Sequence, residues 1–289
     1  MHHHPIFLTI CLLSLLIPPL SHAVDAGNPD ENHSNAWKLS TFENHHHNLR
    51  EMTTDRGDLT GTPFTVMKGF FHLETGIFDY ERRLHTEHSH ETFNWGEINA
   101  RYGLTDALDF QLIWRPYTEV RKDGDTADPG FHKSGVNDLF VRFKYNLIGN
   151  EGGDFALAVL PFVKVPVATG GIGNDMWEGG LKLISQKKIG GNFTFGSSLG
   201  ANISVDEDES SYLRPTATAQ LGFEITEKLG AFTEIYASWS KDDERYWQTA
   251  WNFGLDYDLT EHIILDVGLF WFFRGEEALT PFIGISWRF

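Results

Sequence analysis

Three closely spaced histidines are candidates for binding a metal ion. His85, His88 and His90 lie in the run His-Thr-Glu-His-Ser-His, and imidazoles at such spacing can converge on a divalent metal ion. A stable metal site also needs a rigid frame and partners that orient each ring, and the sequence supplies neither here or at the histidine run 45–47. We therefore expect no metal and no other cofactor, and retain His85, His88 and His90 as weak candidates only.

Nucleophilic catalysis has little support in the sequence. The single cysteine, Cys11, lies in a segment that we expect to be removed, so the mature chain would have no thiol nucleophile, thiolate ligand or disulfide. An acyl hydrolase would need a Ser and a His on adjacent strands. His72 is the only histidine within the predicted strands, and no serine has a recognisable nucleophile context. We expect a protein that is not an enzyme, with an acyl hydrolase as a minor alternative.

Charge excludes another class of function. The formal net charge is −17, and it belongs to the mature part because residues 1–23 contain no Asp, Glu, Lys or Arg. Such a surface repels phosphate backbones, so we expect no nucleic-acid partner.

The N-terminal region predicts export. Residues 6–19 form an apolar run that is too short to span a bilayer, and Ser21-His22-Ala23 offers small residues for signal peptidase. We expect residues 1–23 to be a signal peptide. Residues 24–61 are polar and show no alternation, so we interpret them as a flexible periplasmic arm that is either disordered or loosely docked. Residues 62–289 are the predicted transmembrane domain.

The sequence pattern of that domain predicts an all-β fold, a closed antiparallel transmembrane barrel. Strand-like segments alternate with turn signals and no helical window intervenes. The twelve predicted strands are 63–80, 91–102, 109–120, 136–147, 155–166, 177–186, 192–203, 212–224, 230–240, 247–258, 263–272 and 281–289. Short turns follow the even strands and longer, charged connections follow the odd ones, which is typical of outer-membrane barrels with short periplasmic turns.

Three of the short turns repeat one pattern. Residues 104–108, 225–229 and 259–263 each read aliphatic, Thr, acid, any residue, aliphatic. The Thr hydroxyl can hydrogen-bond the turn backbone. We therefore expect a Thr-capped turn at each of these positions.

Parity within the strands predicts a lipid face and a lumen face. One face carries no charge. A charge facing the middle of the bilayer would cost about 2 to 4 kcal/mol, so the polar face must point inward. The lumen-lining candidates are Glu97, Arg101, Asp109, Gln111, Arg115, Arg142, Lys144, Glu178, Lys182, Arg214, Gln220, Glu224, Glu234, Asp256, Asp266 and Arg288.

Aromatic residues gather where the predicted strands enter and leave the lipid, as in the girdles of membrane barrels. The girdle candidates are Tyr102, Tyr145, Trp177, Trp239, Trp247, Tyr257, Trp271, Trp287 and Phe289. Inward parity also falls on some aromatics, including Phe140 and Tyr236, and the fifth strand is apolar on both faces, with Leu160 and Phe162 among its residues. That strand is expected to line a narrow or apolar stretch of the lumen.

The inward charges have mixed sign, which leaves two interpretations open. They can neutralise one another as a structural salt-bridge network, or they can form a ladder that orients a polar solute. A twelve-stranded barrel has a backbone diameter on the order of 25 Å, much of it filled by side chains. The sequence therefore favours a narrow channel over a wide general porin.

The chain resembles the outer-membrane barrel family named for the MetA pathway of phenol degradation. The resemblance covers most of the mature chain, although Gly57 stands where that pattern would have Pro. It is carried by Asp55-Arg56-Gly57-Asp58 with residues 62–66, by residues 69–74 and 101–106, by Asn137-Asp138-Leu139 with Lys144-Tyr145, by residues 160–166 and by the turn at Leu259. It implies a 12-stranded barrel that passes small compounds, hydrophobic ones among them, and assigns no ligand residues.

Together these patterns predict an outer-membrane channel or porin for passive uptake of small molecules, hydrophobic or aromatic compounds among them. The alternative is a structural or adhesive barrel without an open pore. The expected partners are outer-membrane lipid, small solutes and the barrel-assembly machinery, which would recognise the alternating last strand ending in Phe289. We expect a monomer because nearly every strand has an apolar outer face.

Overall fold

Strands make up most of the chain from Phe71 to Arg288. The computed structural model describes residues 49–84, 89–126, 129–206, 209–241 and 245–289. The strands are β1 (Phe71–Arg83), β2 (His90–Thr105), β3 (Leu108–Trp114), β4 (Tyr117–Lys122), β5 (Phe131–Gly135), β6 (Leu139–Ile148), β7 (Phe155–Val165), β8 (Glu178–Gly190), β9 (Phe193–Val205), β10 (Ser211–Thr226), β11 (Leu229–Lys241), β12 (Arg245–Thr260), β13 (Ile263–Arg274) and β14 (Ala278–Arg288).

These segments form a closed barrel of twelve strands. From β6 to β14 each strand pairs antiparallel with the next, and β1 closes the ring by pairing with both β14 and β2. Two of the twelve are built from two segments each. Strand β2 pairs with β3 over one half and β4 over the other, while β3 pairs with β6 and β4 with β5. The predicted strand number and closure are confirmed.

The two divided strands correct two predictions: the strand at 109–120 is interrupted, and the strand at 136–147 begins only at Leu139 and is preceded by β5, which lies in a predicted connection. Pro116 separates β3 from β4 and has no N–H to donate to a ladder. Residues 136–138 separate β5 from β6, and there the Asn137 N–H donates to the Arg115 carbonyl at 3.0 Å. The Asp138 carboxylate accepts from the backbone N–H of Ala168. Around Pro116 and residues 136–138 the barrel wall is therefore held by these individual hydrogen bonds and not by a regular β-ladder.

The repeated turns are capped as their sequence predicts. The Oγ1 atoms of Thr105, Thr226 and Thr260 accept backbone N–H bonds from Ala107, Lys228 and His262 at 3.2, 3.2 and 3.1 Å. We call the end that carries these turns the short-turn end and the opposite end the long-connection end.

The barrel is apolar outside and polar inside. On β13, Val267 points outward and is 47% exposed, whereas its inward neighbour Asp266 is 2% exposed. Inward positions elsewhere bury polar side chains such as Ser238, Asn252 and Ser286. This inversion of the usual soluble-protein pattern is what a bilayer imposes on a barrel. No helix in the described part of the chain is long and apolar enough to cross a membrane.

The aromatic girdle candidates occupy outward positions on the strands or at their ends. Trp239 and Trp287 are half-buried, and the exposed ones are Tyr102, Tyr145, Trp177, Trp247, Tyr257, Trp271 and Phe289.

Residues 50–66 lie inside the barrel, and we call them the inner segment. Their contacts correct two predictions: the first strand begins at Phe71 and not at residue 63, and residues 50–61 are bonded inside the lumen instead of forming a flexible periplasmic arm. The remainder of that predicted arm, together with the predicted signal peptide, lies outside the described residues. The inner segment lacks alternation because its backbone bonds to lumen side chains and not to a strand ladder.

The lipid face generates the first prediction. Val267→Arg, in the middle of an outward row, should lower the free energy of unfolding by about 2 to 4 kcal/mol, because the charge meets the hydrocarbon core. Leu213→Arg is the matched control: Leu213 also faces outward, but near the end of β10, so its cost should be only about 0 to 1 kcal/mol. Urea unfolding from lipid vesicles measures both. Equal costs at the two depths would contradict the assigned lipid face.

Candidate functional site

The inner segment enters and leaves the lumen at the short-turn end. At its start, Arg50 donates to the carbonyls of Asp106 and Asn150, and the Arg50 carbonyl accepts from Arg288 at 2.6 Å. At its end, the Thr65 hydroxyl also donates to the carbonyl of Asp106, at 2.8 Å. The segment is thus a loop whose two ends are held at the same rim, with its tip directed into the barrel.

Asp55 is the centre of a cluster of charges in the lumen. Its carboxylate accepts two short bonds from the Nζ of Lys144, at 2.5 and 2.7 Å, and one from the amide of Gln111 at 3.1 Å. It also lies 3.6 Å from Nε of Arg101 and 3.7 Å from Nη2 of Arg142. The inner segment therefore places one anion among three wall cations.

Charge balance explains why an acid is needed there. Arg101 also pairs with Glu74 at 2.7 Å and with Asp109 at 3.2 Å. The Arg101, Glu74, Asp109 and Lys144 side chains are fully buried. The wall alone contributes three cations and two anions to this cluster, and the anion from the inner segment makes the numbers equal: Arg101, Arg142 and Lys144 against Asp55, Glu74 and Asp109.

Arg56 fills a second, oppositely unbalanced cluster. Its guanidinium donates two bonds to the carboxylate of Asp266, both at 3.2 Å, and lies 3.6 Å from Glu97, which also pairs with Arg115 at 2.5 Å. In these ion pairs the wall supplies two anions and one cation, so Arg56 restores the balance. A Cβ at Gly284 would lie 2.4 Å from the Arg56 guanidinium, which explains a glycine at that inward position.

The tip of the inner segment is held through its backbone. The Glu234 carboxylate accepts the N–H groups of Leu59 and Thr60, at 3.1 and 2.6 Å, together with the Thr60 hydroxyl at 2.5 Å and the Asn252 amide at 2.5 Å.

The inner segment also has a glycine, Gly57, where the family pattern suggests Pro. Its φ is +88°, a value that proline cannot adopt.

Two carboxyl groups of the inner segment have opposite pKa shifts. Burial alone would raise the pKa of Asp55, but Arg101, Lys144 and Arg142 outweigh it and hold that pKa well below the ordinary value. Burial, with the nearby Glu234 carboxylate, raises the pKa of Asp58 to about 7. The Asp58 carboxylate accepts from the Gly61 N–H and the Gln220 amide, which act in the lowering direction.

The half of the lumen nearer the long-connection end contains a cavity of about 410 Å³. Leu59, at the tip of the inner segment, forms part of its lining. Its wall combines apolar side chains such as Phe140, Leu160 and Phe162 with the cations Arg115, Arg142 and Lys182. Such a mixture of apolar wall and few charged groups is typical of small-molecule sites.

The structure places the predicted lumen residues in several environments. The cluster around Asp55 contains five of them: Arg101, Asp109, Gln111, Arg142 and Lys144. The cluster around Arg56 contains Glu97, Arg115 and Asp266.

The other candidates lie outside these two clusters. The tip of the inner segment is hydrogen-bonded by Lys182, Gln220 and Glu234. Arg214 donates a hydrogen bond to Ser238, and Arg288 lies at the short-turn rim. Asp256 is half-buried, Glu178 lies at the long-connection end beside Lys164, and Glu224 is exposed at the opposite end.

Sequence reasoning missed the residues on the inner segment and Glu74. The signal for Glu74 was available, since it shares inward parity with His72 on β1. The signal for Asp55 and Arg56 was the motif Asp-Arg-Gly-Asp, which carried the family resemblance but was not assigned a place in the lumen.

The predicted metal candidates are not brought together by any contact in the described chain. His85 and His88 lie outside the described residues, and His90 begins β2. Among the described residues no group of three or more His, Cys, Asp or Glu could hold a metal ion.

Comparison with known proteins gives a family and a fold. The family described as the MetA pathway of phenol degradation matches residues 54–289. An outer-membrane channel from Pseudomonas putida F1 is similar in structure, with a TM-score of 0.62 and 14% identity over 82% of this chain and 100% of that chain. The NanC porin gives a TM-score of 0.47 with 11% identity, over 74% of this chain and 98% of that chain. No curated protein matches.

Removing the Asp55 charge should release the inner segment. Asp55→Asn leaves three wall cations with two anions, and stranding a buried charge costs about 3 to 5 kcal/mol. We expect a loss of that order in the unfolding free energy, measured by urea titration in lipid vesicles. The control is Asp154→Asn, the same change at an exposed turn, which should cost less than about 0.5 kcal/mol. Equal losses would contradict the assigned role of Asp55.

Asp58 should make docking of the inner segment depend on pH. Its carboxyl has a pKa of about 7 when docked, against an ordinary value of 3.8, so the docked form binds the proton more readily. Docking therefore weakens as pH rises from 3.8 to about 7, where the undocked carboxyl has lost its proton and the docked one has not, and it does not change further above about 7. Single-channel conductance should rise with pH across this range, and less steeply in Asp58→Asn. An unchanged pH profile in that variant would contradict the assignment, and Asp154→Asn should retain the full profile.

Proposed function

The chain belongs to the family described as the MetA pathway of phenol degradation, and on that premise we propose that it is an outer-membrane channel for passive entry of small molecules. The observation that carries the proposal is the division of the lumen. One half holds an accessible cavity of about 410 Å³, and the other half is occupied by the inner segment.

The placement of the protein in the cell is part of the same proposal. An apolar outer wall with aromatic residues near both ends suits a lipid bilayer. We propose that residues 1–23 direct export, that the barrel-assembly machinery inserts the chain through its last strand, and that outer-membrane lipid surrounds a monomer. The short turns would face the periplasm, so the cavity would lie on the outer side.

The inner segment is suited to act as a movable closure. Its contacts with the wall are ion pairs and hydrogen bonds in which at least one partner is a side chain, such as those from Asp55 to Lys144, from Arg56 to Asp266 and from the Thr60 backbone to Glu234. The β-ladder that holds the barrel closed involves none of these residues. The segment can therefore leave its position without opening the barrel, and a solute in the cavity would pass when it does.

A disulfide lock tests this closure directly. The hydroxyls of Thr54, on the inner segment, and Ser286, on β14, lie 2.9 Å apart, so cysteines at both positions can approach bonding distance. In proteoliposomes, oxidised Thr54→Cys/Ser286→Cys should pass small solutes at least about tenfold more slowly than its reduced form, because the segment cannot undock. Reduction should restore the flux.

The matched control locks only the wall. Ser185 and Ser197 face each other on β8 and β9, with hydroxyls 2.8 Å apart, and Ser185→Cys/Ser197→Cys should conduct equally in both redox states. Equal flux through the oxidised and reduced inner-segment lock would show that solutes bypass the segment. No flux through the unmodified protein, with the barrel intact, would overturn the channel and favour a structural barrel.

A further inference from the structure

One sector of the cavity combines an apolar surface with two cations. Three adjacent strands build it: Arg142 of β6 lies opposite Phe162 of β7, and Leu160 of β7 lies opposite Lys182 of β8. The rings of Phe140 and Phe162 lie 6.3 Å apart between centroids, and all five side chains line the cavity. In this sector the apolar side chains of Phe140, Leu160 and Phe162 therefore lie between Arg142 and Lys182.

The acids that line the same cavity are already engaged. Glu97 pairs with Arg115 at 2.5 Å and with Arg56 at 3.6 Å. Asp138 pairs with Lys164 at 3.1 Å and accepts a backbone bond from Ala168. Neither acid is in ion-pair contact with Arg142 or Lys182 in the described part of the chain.

The two cations of this sector, Arg142 and Lys182, lack a close carboxylate partner of their own. Arg142 has buried Nε and Nη2 atoms with no hydrogen-bond partner among the described residues, and its 3.7 Å contact with Asp55 is shared with Lys144, which is much closer at 2.5 Å. Lys182 donates at 2.5 Å to a neutral acceptor, the carbonyl of Leu59. Asp58 and Glu234, which act electrostatically on Lys182, accept hydrogen bonds from other donors.

We propose that this sector binds small aromatic carboxylates, with benzoate as the simplest member. The ring would pack on Phe140, Leu160 and Phe162. The carboxylate would accept hydrogen bonds from the guanidinium of Arg142 and the ammonium of Lys182. The proposal rests on the proposed channel function and names the class of solute that the cavity selects.

Size and charge agree with this assignment. A cavity of about 410 Å³ lies within the range of roughly 300 to 1,000 Å³ typical of small-molecule pockets. The cavity lining carries three cations, Arg115, Arg142 and Lys182, against two anions, Glu97 and Asp138. The cavity lining is thus cationic within a chain of net charge −17, and an anionic ring compound would accept hydrogen bonds from Arg142 and Lys182.

Calorimetric titration of the mature protein in lipid nanodiscs tests the site with three probes. Benzoate has the ring and the charge, benzyl alcohol has the ring alone, and acetate has the charge alone. We expect benzoate to bind at least about tenfold more tightly than either, since hydrogen bonds to charged groups and ring burial each contribute about that much. Equal affinity for benzoate and benzyl alcohol would overturn the proposal, and this comparison requires no variant.

Substitutions then locate the site. Lys182→Gln and Arg142→Gln should each weaken benzoate binding about tenfold and leave benzyl alcohol unchanged. The control is Lys187→Gln, which removes the same charge from an exposed position on the same strand, and it should bind benzoate normally. Unchanged benzoate affinity in Lys182→Gln and Arg142→Gln would overturn the site.

Flux measurements separate this proposal from the channel itself. Glycerol entry into proteoliposomes without selective benzoate binding would leave the channel standing and remove the carboxylate site. Selective benzoate binding without any flux would retain the site and remove the channel. Because Lys182 also bonds the inner segment, glycerol flux in Lys182→Gln shows whether that variant loosens the segment as well as the site.

Discussion

The structure depends on one electrostatic constraint: charges inside a closed barrel must find partners there. An ion removed from water costs several kcal/mol unless it is paired. The wall leaves one cluster with an excess cation and another with an excess anion. Two consecutive residues of the inner segment, Asp55 and Arg56, correct both. The inner segment is thus a structural requirement of the lumen as well as an obstruction in it.

This constraint connects the fold to its function. The barrel is held by backbone ladders between strands, whereas the inner segment is held by side chains that the lumen must pair in any case. The two sets of interactions use different groups, and in the proposed function the segment undocks while the backbone ladders of the wall stay intact. Under the same proposal a solute occupies the open half of the lumen, where the cavity is lined by Arg142 and Lys182.

Much of the fold follows from local sequence patterns. Alternation along strands such as β13 separates lipid from lumen, and the repeated Thr turns locate the short-turn end, because both signals arise from near neighbours in the chain. Pro116 alone indicates an interruption of the strand, but the local structure also depends on the hydrogen bond that Asn137 of the neighbouring strand donates to Arg115. Parity along the strands predicts which side chains face the lumen, but it does not predict which of them form ion pairs with one another.

The inner segment was not predictable in the same way. A polar segment without alternation resembles a disordered arm when only composition is considered. Its order comes from contacts far apart in sequence, such as those between Asp55 and Lys144 or between Thr60 and Glu234. Neither the sequence around residue 55 nor that around residue 144 shows the pairing by itself. The salt-bridge interpretation of the inward charges therefore did not include Asp55 and Arg56, which the inner segment adds to the two clusters.

Hydrogen exchange at the inner segment measures its docking most directly. The amides of Leu59, Thr60 and Val66 donate to the buried carboxylates of Glu234 and Asp109. In the protein folded in lipid nanodiscs, these amides should exchange slowly, although less slowly than those of the strands, because the segment opens while the barrel stays closed. Exchange at the rate of an unstructured peptide would contradict a docked inner segment and, with it, the pairing of the lumen charges by Asp55 and Arg56.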